Sequence, residues 1–510
     1  MKIIYSLFFL FLSYSYCEAQ DGYPVVNFGD SGILYTNNVC DALKVTPDQK
    51  FVTSSIINGH LTLIRYFANG ALDNDFGEKG FAQSTYDSSG IAISTSSKGN
   101  IIVAAGYQDI TLLSFKSSGI LDSTFGNNGI SSVDFGQVES VQDIQLQTDG
   151  KIVVCGITYD NSNPRVKAFL ARFYENGSLD QSFGINGLVI NPTVIDYAGT
   201  VKLSIQADGK LLIGCTAMNS SNDFLISRYN TDGTIDKNFG NNGNVITSYS
   251  QNDDNLYAIR TLLDGSILAA GQGDYQLIAP QHFAKMLIFK YNSDGSINKD
   301  FGNNGNSIIE FNKDSKAKDI LIDKDGNIIL TGSIADHLGT NGSAVLTRLT
   351  INGIIDSSFG INGQQTTDLG FSNSVKGSGL LENNQILIGA SLYQTSSNSA
   401  FLKYDNGLSQ KQIIITKIKR WLQHKNGFTW DYNNTVSSYV VQRSYDGVHF
   451  SSVARINAGN SSNTYADPSP LSGNNYYRLQ TTTVNGAVNY SNVLAVTASE
   501  DAIKISPNPA

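Results

Sequence analysis

One segment of the sequence has the residue types of a nucleophilic serine site. In Gly29-Asp30-Ser31-Gly32 the serine stands among small residues, as the nucleophile of serine proteases does. The same position in two similar segments, residues 76–80 and 125–129, is filled by Lys79 and Asn128. A nucleophilic serine also needs a base and an orienting acid within hydrogen-bond reach. We therefore interpret Ser31 as part of a repeated loop and predict no catalytic residue.

The sequence offers no recognisable set of metal ligands. Its five histidines are His60, His282, His337, His424 and His449. None has a partner at the spacing of a zinc motif. Residues 230–236 contain a fragment of a calcium-binding loop, but the third acidic ligand and the distal Glu are missing. A hairpin turn explains that segment better, and we predict no metal and no cofactor.

Paired carboxylates are the other candidates for chemistry. Asp253-Asp254 falls in a polar stretch, which predicts a solvated loop. Glycoside hydrolysis needs two carboxylates that face each other across the scissile bond. No such acid and base stand out, so an enzyme is the less favoured reading.

Composition narrows the function classes further. The net charge is −9, charged residues make up only 15%, and no basic block occurs. A nucleic-acid-binding surface is therefore not expected. The 48 glycines and 9 prolines suit short strands joined by glycine turns.

The first nineteen residues have the pattern of a secretory signal peptide. Lys2 precedes an apolar run over residues 3–12, and small residues, Cys17 and Ala19, precede a cut before Gln20. Lipidation of Cys17 is an alternative that Tyr16 disfavours. No later stretch is long and apolar enough to span a bilayer as a helix. We expect a secreted or cell-surface protein with residues 1–19 removed and no membrane span in the mature chain.

Seven repeats decide the predicted architecture. The pair Phe-Gly, followed by two residues and a second Gly, recurs at Phe28, Phe76, Phe125, Phe183, Phe239, Phe301 and Phe359. Between successive copies lie short apolar runs separated by Asp-Gly or Asn-Gly, the signature of hairpins. One repeat therefore holds about four strands, with the Phe pointing into the core between neighbouring sheets. Four antiparallel strands in a repeat of this length match a β-propeller.

The ends of the repeat region predict closure of a ring. Val25 to Tyr35 forms a fourth strand with no strands before it, and the last repeat supplies three strands before Gly407. Pairing the spare strand with residues 401–404 removes an open sheet edge. The prediction is an all-β protein whose residues 20–410 form a seven-bladed β-propeller.

A known family carries this pattern. The segment from Arg228 to Gly240 resembles the delta-60 repeat of bacterial surface and secreted proteins. The resemblance covers about residues 20–407 and implies a propeller, but it implies no agreed activity.

The region after the repeats has the strand pattern of a second module. Trp430 is a candidate core residue, and Tyr476-Tyr477-Arg478-Leu479 resembles the tyrosine-corner strand of fibronectin type III or immunoglobulin-like domains. Residues 441–450 are similar to modules that precede sorting tails in Bacteroidetes proteins. We predict a fibronectin type III-like β-sandwich over residues 411–498.

The last residues, 499–510, are similar to the opening of a type IX secretion sorting signal. The matching positions are Pro507, Asn508 and Pro509. The type IX secretion machinery is therefore an expected partner. The alternative is a frayed proline-containing tail.

A ligand site is predicted on the connections between second and third strands. These lengthen at about residues 157–167, 216–223, 272–283 and 333–342. Their aromatic and polar residues suit sugar or peptide recognition. The candidates are Tyr159, Arg165, Tyr275, His282, Phe283 and His337. The alternative is that these are variable solvent loops.

The functional prediction is a secreted or cell-surface, non-catalytic scaffold that binds an extracellular glycan or protein, or mediates adhesion. The alternative is an extracellular polysaccharide hydrolase or lyase with its site on the propeller face. A third possibility is a purely structural module of a surface protein. Fold alone cannot choose among them.

Overall fold

The computed structural model of the chain contains strands and no helix in its described residues. These are residues 21–497 apart from 89, 161–162, 196–198, 277–282, 337–341, 370–371, 394–397, 407–414, 422–424, 431–435, 448, 458–462, 472–473, 484–487 and 492. The predicted signal peptide and sorting motif lie outside them. The chain divides into two compact units, Met1–Gly407 and Leu408–Ala510.

The first unit is built from antiparallel sheets of four strands, here numbered 1 to 7 along the chain. Sheet 1 consists of Ala42–Val45, Phe51–Ile57, His60–Tyr66 and Phe81–Gln83, and sheet 2 of Gly90–Thr95, Ile101–Ala105, Ile110–Phe115 and Ile130–Val133. Sheet 3 consists of Val138–Leu146, Ile152–Asp160, Asn163–Phe173 and Leu188–Val194, with Tyr107–Gln108 added beside Val138–Leu146. Sheet 4 consists of Lys202–Ile205, Leu211–Met218, Asn222–Tyr229 and Asn244–Thr247. Sheet 5 consists of Asp253–Thr261, Ile267–Tyr275, Lys285–Tyr291 and Asn306–Ile309. Sheet 6 consists of Asp314–Ile322, Ile328–Ala335, Ser343–Leu349 and Gln364–Asp368. Sheet 7 consists of Ser372–Leu380, Ile386–Tyr393, Asn398–Tyr404 and Ile33–Thr36.

The middle strands of each sheet are apolar on both faces because both faces are covered by neighbouring sheets. In sheet 4, Leu211, Ile213 and Cys215 pack toward sheet 3, whereas Leu212 packs toward sheet 5. Both sets are fully buried. Burial on both faces explains why these strands are near-continuous apolar runs and not alternating ones.

The predicted closing strand is confirmed. Ile33 pairs with Leu402, and Thr36 pairs with Ser399, so a strand near the start of the chain is the fourth strand of sheet 7. Upstream of it, the peptide N–H of Val25 donates to the carbonyl of Lys403 over 2.8 Å.

The first strands of the seven sheets form a closed circuit. Each first strand lies against the first strand of the next sheet, and that of sheet 7 lies against that of sheet 1. The last pair involves Ala42–Val45 and Ser372–Leu380. The circuit places the first strands innermost and the fourth strands outermost.

The recurring Phe-Gly pair joins each sheet to the next. The peptide N–H of Gly240, after the third strand of sheet 4, donates to the carbonyl of Asp294 in sheet 5 over 2.8 Å. Five other repeats have the same bond: from Gly77 to Ser118, from Gly126 to Asn176, from Gly184 to Asp232, from Gly302 to Asn352 and from Gly360 to Asp21. Phe239 is fully buried, and a Cβ on Gly295 would stand 2.9 Å from its ring. The prediction that the Phe enters the core between sheets is thus confirmed.

A buried arginine completes this contact in four of the repeats. The Arg228 guanidinium lies over the Phe239 ring, 4.5 Å from its centroid, and its Nε donates to Asp236 over 2.8 Å. It also donates to the carbonyl of Ser293 in sheet 5. The other three Arg–Asp pairs are Arg65–Asp73, Arg172–Asp180 and Arg348–Asp356. We call each set of Phe-Gly, Arg and Asp an inter-sheet clamp.

The three described cysteines are free and fully buried. Burial raises the pKa of Cys40 and of Cys215 to about 12. Burial likewise raises the pKa of Cys155. They pack as small apolar residues, as their positions in apolar strands indicate.

The second unit contains two antiparallel sheets. One consists of Ile415–Trp421, Lys425–Trp430 and Asn463–Asp467; the other consists of Val436–Ser444, Ser451–Asn457, Asn474–Thr483, Val488–Tyr490 and Leu494–Thr497. Trp430 of the first sheet packs edge-on against Tyr439 of the second, with ring centroids 5.4 Å apart. The Tyr477 hydroxyl donates to the Asp467 carboxylate over 2.7 Å. Side chains from both sheets therefore share one core.

Candidate functional site

The two ends of the first unit's sheets differ in how regular their connections are. At one end, called the turn end, the first and second strands are joined by five residues in all seven sheets: 46–50, 96–100, 147–151, 206–210, 262–266, 323–327 and 381–385. The third and fourth strands of sheets 1 to 6 are joined by fourteen residues each: 67–80, 116–129, 174–187, 230–243, 292–305 and 350–363. Each fourteen-residue connection carries a Phe-Gly pair whose Gly bonds to the next sheet, so the connections of the turn end are uniform in length.

The opposite end, called the loop end, varies from sheet to sheet. Its second-to-third connections are residues 58–59, 106–109, 161–162, 219–221, 276–284, 336–342 and 394–397. The long ones belong to sheets 5 and 6. A rigid scaffold with one variable end is a common way to present a binding surface.

The predicted loops at residues 157–167 and 216–223 are wrong. Strand Ile152–Asp160 pairs with Asn163–Phe173, so Tyr159 and Arg165 lie in strands. In sheet 4, Met218 pairs directly with Asn222. The strands continue because buried residues continue: Ile157 and Ala217 both belong to the core between sheets 3 and 4.

The structure brings four of the predicted site residues to the loop end, in two different sheets. Tyr159 is half-buried against the core, and Arg165 is exposed, both in sheet 3. Tyr275 ends the second strand of sheet 5, and Phe283 precedes its third strand; both are half-buried. Burial and the charges of Asp314 and Asp253 raise the pKa of Tyr275, so its hydroxyl stays protonated at neutral pH. His282 and His337 lie outside the described residues.

The prediction that Asp253-Asp254 lies in a solvated loop is wrong. Both residues belong to the first strand of sheet 5, and Asp254 is fully buried. Its carboxylate accepts hydrogen bonds from the peptide N–H groups of Tyr249, Ser250 and Asp274 at 2.6, 2.9 and 2.8 Å. Burial nevertheless outweighs these bonds and raises the pKa of Asp254. This carboxylate fixes the path of the chain from sheet 4 into sheet 5.

Glu139 occupies the corresponding position in sheet 3: it stands three residues before Gln142, the extra residue of the bulge, as Asp254 stands three residues before Tyr257. It is 1% exposed, and neither carboxylate oxygen has a hydrogen-bond partner of ordinary geometry within the described part of the chain. Burial raises its pKa to about 7, with smaller contributions from Asp134 and Asp109. Sequence analysis missed Glu139 and named Asp254 only as a solvated residue, although each is a polar residue near the start of a strand with buried apolar positions.

The described residues contain no group of three or more His, Cys, Asp or Glu side chains that could hold a metal ion. What the loop end does present is aromatic rings, a guanidinium and peptide groups. Such a surface can stack on a sugar ring or an aromatic side chain and can hydrogen-bond to hydroxyl or carboxylate groups.

One protein family matches part of the sequence. A family described as a β-propeller domain of unknown function, DUF5122, matches residues 147–183 and 206–239. Each segment runs from the turn before the second strand to the Phe of the Phe-Gly pair, in sheet 3 and in sheet 4. Together with the repeated four-stranded sheets, the match identifies the fold of the first unit as a β-propeller. No curated protein matches the sequence.

Solved structures show only distant similarity. PorZ, a surface component of the type IX secretion system of Porphyromonas gingivalis, is 11% identical, with a TM-score of 0.39 over 92% of this chain and 60% of its own. The polysaccharide lyase Uly1 is 10% identical, with a TM-score of 0.41 over 78% of this chain and 94% of its own. A protein of unknown function from Bacteroides caccae is 13% identical, with a TM-score of 0.33 over 50% of this chain and 79% of its own. Similarity at this level says nothing about activity.

A search of the described residues for membrane-crossing helices found none of sufficient length and apolar character.

Proposed function

We propose that the chain is a secreted or cell-surface protein whose propeller binds an extracellular glycan or protein at its loop end, without catalysis. The observation that carries this proposal is the contrast between the two ends. The turn end repeats the same two connections from sheet to sheet, whereas the second-to-third connections of the loop end range from two to nine residues and differ in composition. Folding alone explains the uniform turn end, because the residues there must contact the next sheet. Folding does not require the loop-end connections to differ in length and composition.

The proposal includes a propeller of seven blades over residues 20–410. The circuit of first strands and the pairing of Ile33–Thr36 with Asn398–Tyr404 support it. It also includes a fibronectin type III-like sandwich over residues 411–498. The shared core of Trp430, Tyr439 and Tyr477 supports this part.

Export is part of the same proposal. The signal-peptide pattern of residues 1–19 and the Pro507-Asn508-Pro509 tail motif support secretion and recognition by type IX machinery. The acidic net charge and low content of charged residues are compatible with an extracellular protein.

A polysaccharide hydrolase or lyase is the second candidate. The buried carboxylate that would favour it is Glu139, whose pKa near 7 is in the range of a general acid or base. Glu139 is 1% exposed, however, so a substrate could not reach it without rearrangement of the surrounding segments. Binding without cleavage is therefore the stronger proposal.

Replacing Tyr275 and Phe283 together by Ala is expected to weaken binding of any glycan or protein ligand at least tenfold. Loss of two half-buried aromatic surfaces removes the stacking contacts at the rim of the longest loop. Binding would be measured with a ligand found on a glycan or protein array. The melting temperature is expected to change little, because both residues lie at the end of sheet 5 and outside the clamps.

A matched control removes two aromatic side chains from the turn end. Phe67 and Tyr174 are 38% and 42% exposed and stand at equivalent positions of sheets 1 and 3. Their double Ala variant should bind like the parent. If both double variants lose affinity equally, or if neither loses affinity, the loop end of sheet 5 is not the site.

A further inference from the structure

A cluster of lysines lies on the first strands of the propeller, around the space that the circuit of these strands encloses. Its members are Lys202 of sheet 4, Lys316 and Lys318 of sheet 6, and Lys376 of sheet 7. We call them the axial lysines. They concentrate positive charge inside a chain whose net charge is −9.

β-Bulges turn two of these side chains toward the axis. The register of sheet 6 shifts between Ala317 and Asp319, which leaves Lys318 as the extra residue, and sheet 7 shifts in the same way around Lys376. A bulge re-aims the extra side chain out of the ordinary alternation. Ala317 and Val375, the residues before them, are buried in the cores between sheets. Lys318 and Lys376 instead retain solvent access.

The equivalent bulges of the other sheets supply uncharged neighbours. The extra residues there are Ile91 in sheet 2, Gln142 in sheet 3 and Tyr257 in sheet 5. The Nζ atom of Lys318 lies over the Tyr257 ring, 3.9 Å from its centroid. No carboxylate occupies a bulge position, but Asp41 stands at the equivalent place in sheet 1, just before its first strand, and the charge of Lys376 acts on it. The four axial lysines outnumber this carboxylate.

Two carboxylates near the axial lysines, Asp319 and Asp143, are hydrogen-bonded to neighbouring groups, whereas the charges of Asp41 and Asp314 act on Lys376 and Lys316. Asp319 accepts a hydrogen bond from the Ile320 N–H and another from the Ser378 hydroxyl, each over 2.8 Å. Asp143 accepts from the peptide groups of Ile144 and Leu203 at 2.9 and 3.0 Å. Within the described part of the chain, no axial lysine has a carboxylate oxygen within salt-bridge distance.

The positive charges of neighbouring lysines that nearby carboxylates balance only in part repel one another, and an anion that joins these lysines relieves the repulsion. We propose that the axial lysines bind a small multivalent oxyanion, with Lys318 and Lys376 as its principal contacts and Lys202 and Lys316 adding charge. Oxyanions of this class include phosphate, sulfate and tricarboxylates. The site is distinct from the aromatic surface at the loop end.

Proton uptake accompanies this binding. Burial, followed by the charges of Lys316, Lys202 and Lys376, lowers the pKa of Lys318 to about 7. The groups that face Lys318 are thus three cations and the Tyr257 ring, while Asp319 beside it is held by its own hydrogen bonds. An oxyanion favours the charged form of Lys318, so binding should weaken as pH rises through this pKa.

Isothermal titration of the protein with citrate tests the proposal. The parent is expected to bind, with affinity falling about tenfold between about pH 6 and about pH 8 as Lys318 loses its proton. Lys318→Met should bind about tenfold more weakly at the lower pH and show no such pH dependence. Lys376→Met, at an exposed residue that cannot disturb the core, should also bind more weakly.

Lys299→Met is the matched control, because Lys299 is exposed at the turn end of sheet 5 and the charge change is the same. It should bind citrate like the parent, and so should the Tyr275/Phe283 double Ala variant. Absence of citrate binding by the parent, or parent-like binding by both lysine variants, would overturn the proposal. Either result leaves the loop-end proposal untouched.

Discussion

Deletion of residues 20–36 is expected to abolish the cooperative unfolding of the propeller. The deletion removes the fourth strand of sheet 7, which pairs with Asn398–Tyr404, and leaves that strand as an open edge. It also removes Phe28, which is fully buried between sheets 7 and 1, and Asp21, whose carbonyl receives the clamp bond from Gly360. Loss of Phe28 alone should cost about 3–5 kcal/mol. The complete deletion should therefore consume most of a typical stability of about 5–15 kcal/mol.

Thermal denaturation and size-exclusion chromatography of the truncated protein would measure this effect. Phe28→Ala is the finer variant, and it should lower the melting temperature while the protein remains folded. Val26→Ala is its matched control, because Val26 lies in the same segment and is 71% exposed. A truncated protein that melts like its parent would show that this strand does not close the propeller.

Asp236→Asn is expected to destabilise the propeller by about 3–5 kcal/mol at neutral pH, because it leaves the buried Arg228 guanidinium and the half-buried Lys210 ammonium without their charged partner. Asp236 is 3% exposed and receives hydrogen bonds from Arg228 and Lys210, each 2.8 Å long. The substitution breaks the clamp between sheets 4 and 5. Urea denaturation of parent and variant would measure the difference in free energy of unfolding.

The pH dependence of this difference has a definite sign. Burial of Asp236 opposes ionisation, but the bonds from Lys210 and Asn238 and the charge of Arg228 outweigh it and hold the pKa below its usual value. The clamp therefore contributes its full stability above the unfolded pKa of about 3.9, and loses it as pH falls through the lower folded value. The gap between parent and Asp236→Asn should narrow in that acidic range.

Asp232→Asn provides the control for the clamp. Asp232 is exposed in the turn of the same repeat, and its carboxylate accepts local hydrogen bonds from Thr234. Its carbonyl accepts the bond from Gly184, which the substitution leaves in place. Asn can form the same turn, so this variant should lose less than about 1 kcal/mol. Equal losses in the two variants would mean that the clamp contributes no more than any surface turn.

The repeat architecture could be predicted because its signals are local and recur. Phe239-Gly240 and its copies mark each clamp, and a surplus strand at one end with a missing strand at the other implied their pairing. The arginine that caps the Phe ring was visible in the sequence, but its partners were not. Its hydrogen bonds reach a turn in the next sheet, about sixty residues away, as from Arg228 to Ser293.

The candidate site was harder to predict, because polar residues in the sequence were assumed to be exposed to solvent. Asp254 is polar yet buried, since peptide groups of the incoming chain surround its carboxylate. Lys318 is the extra residue of a bulge in the first strand of sheet 6, and bulges leave no periodic signal in the sequence. Tyr159 and Arg165 were assigned to a loop because the hairpin that contains them extends beyond its apolar run.

The central claim is binding at the propeller without cleavage. The most direct measurement is incubation of the purified protein, lacking residues 1–19, with a panel of neutral, sulfated and uronate-containing polysaccharides and a protein array. Binding and the appearance of new reducing ends or unsaturated uronates would be followed in the same samples. Saturable binding to at least one ligand, with no new chain ends, is the predicted result. New chain ends that accumulate with enzyme-like turnover, or no binding to any ligand, would contradict it.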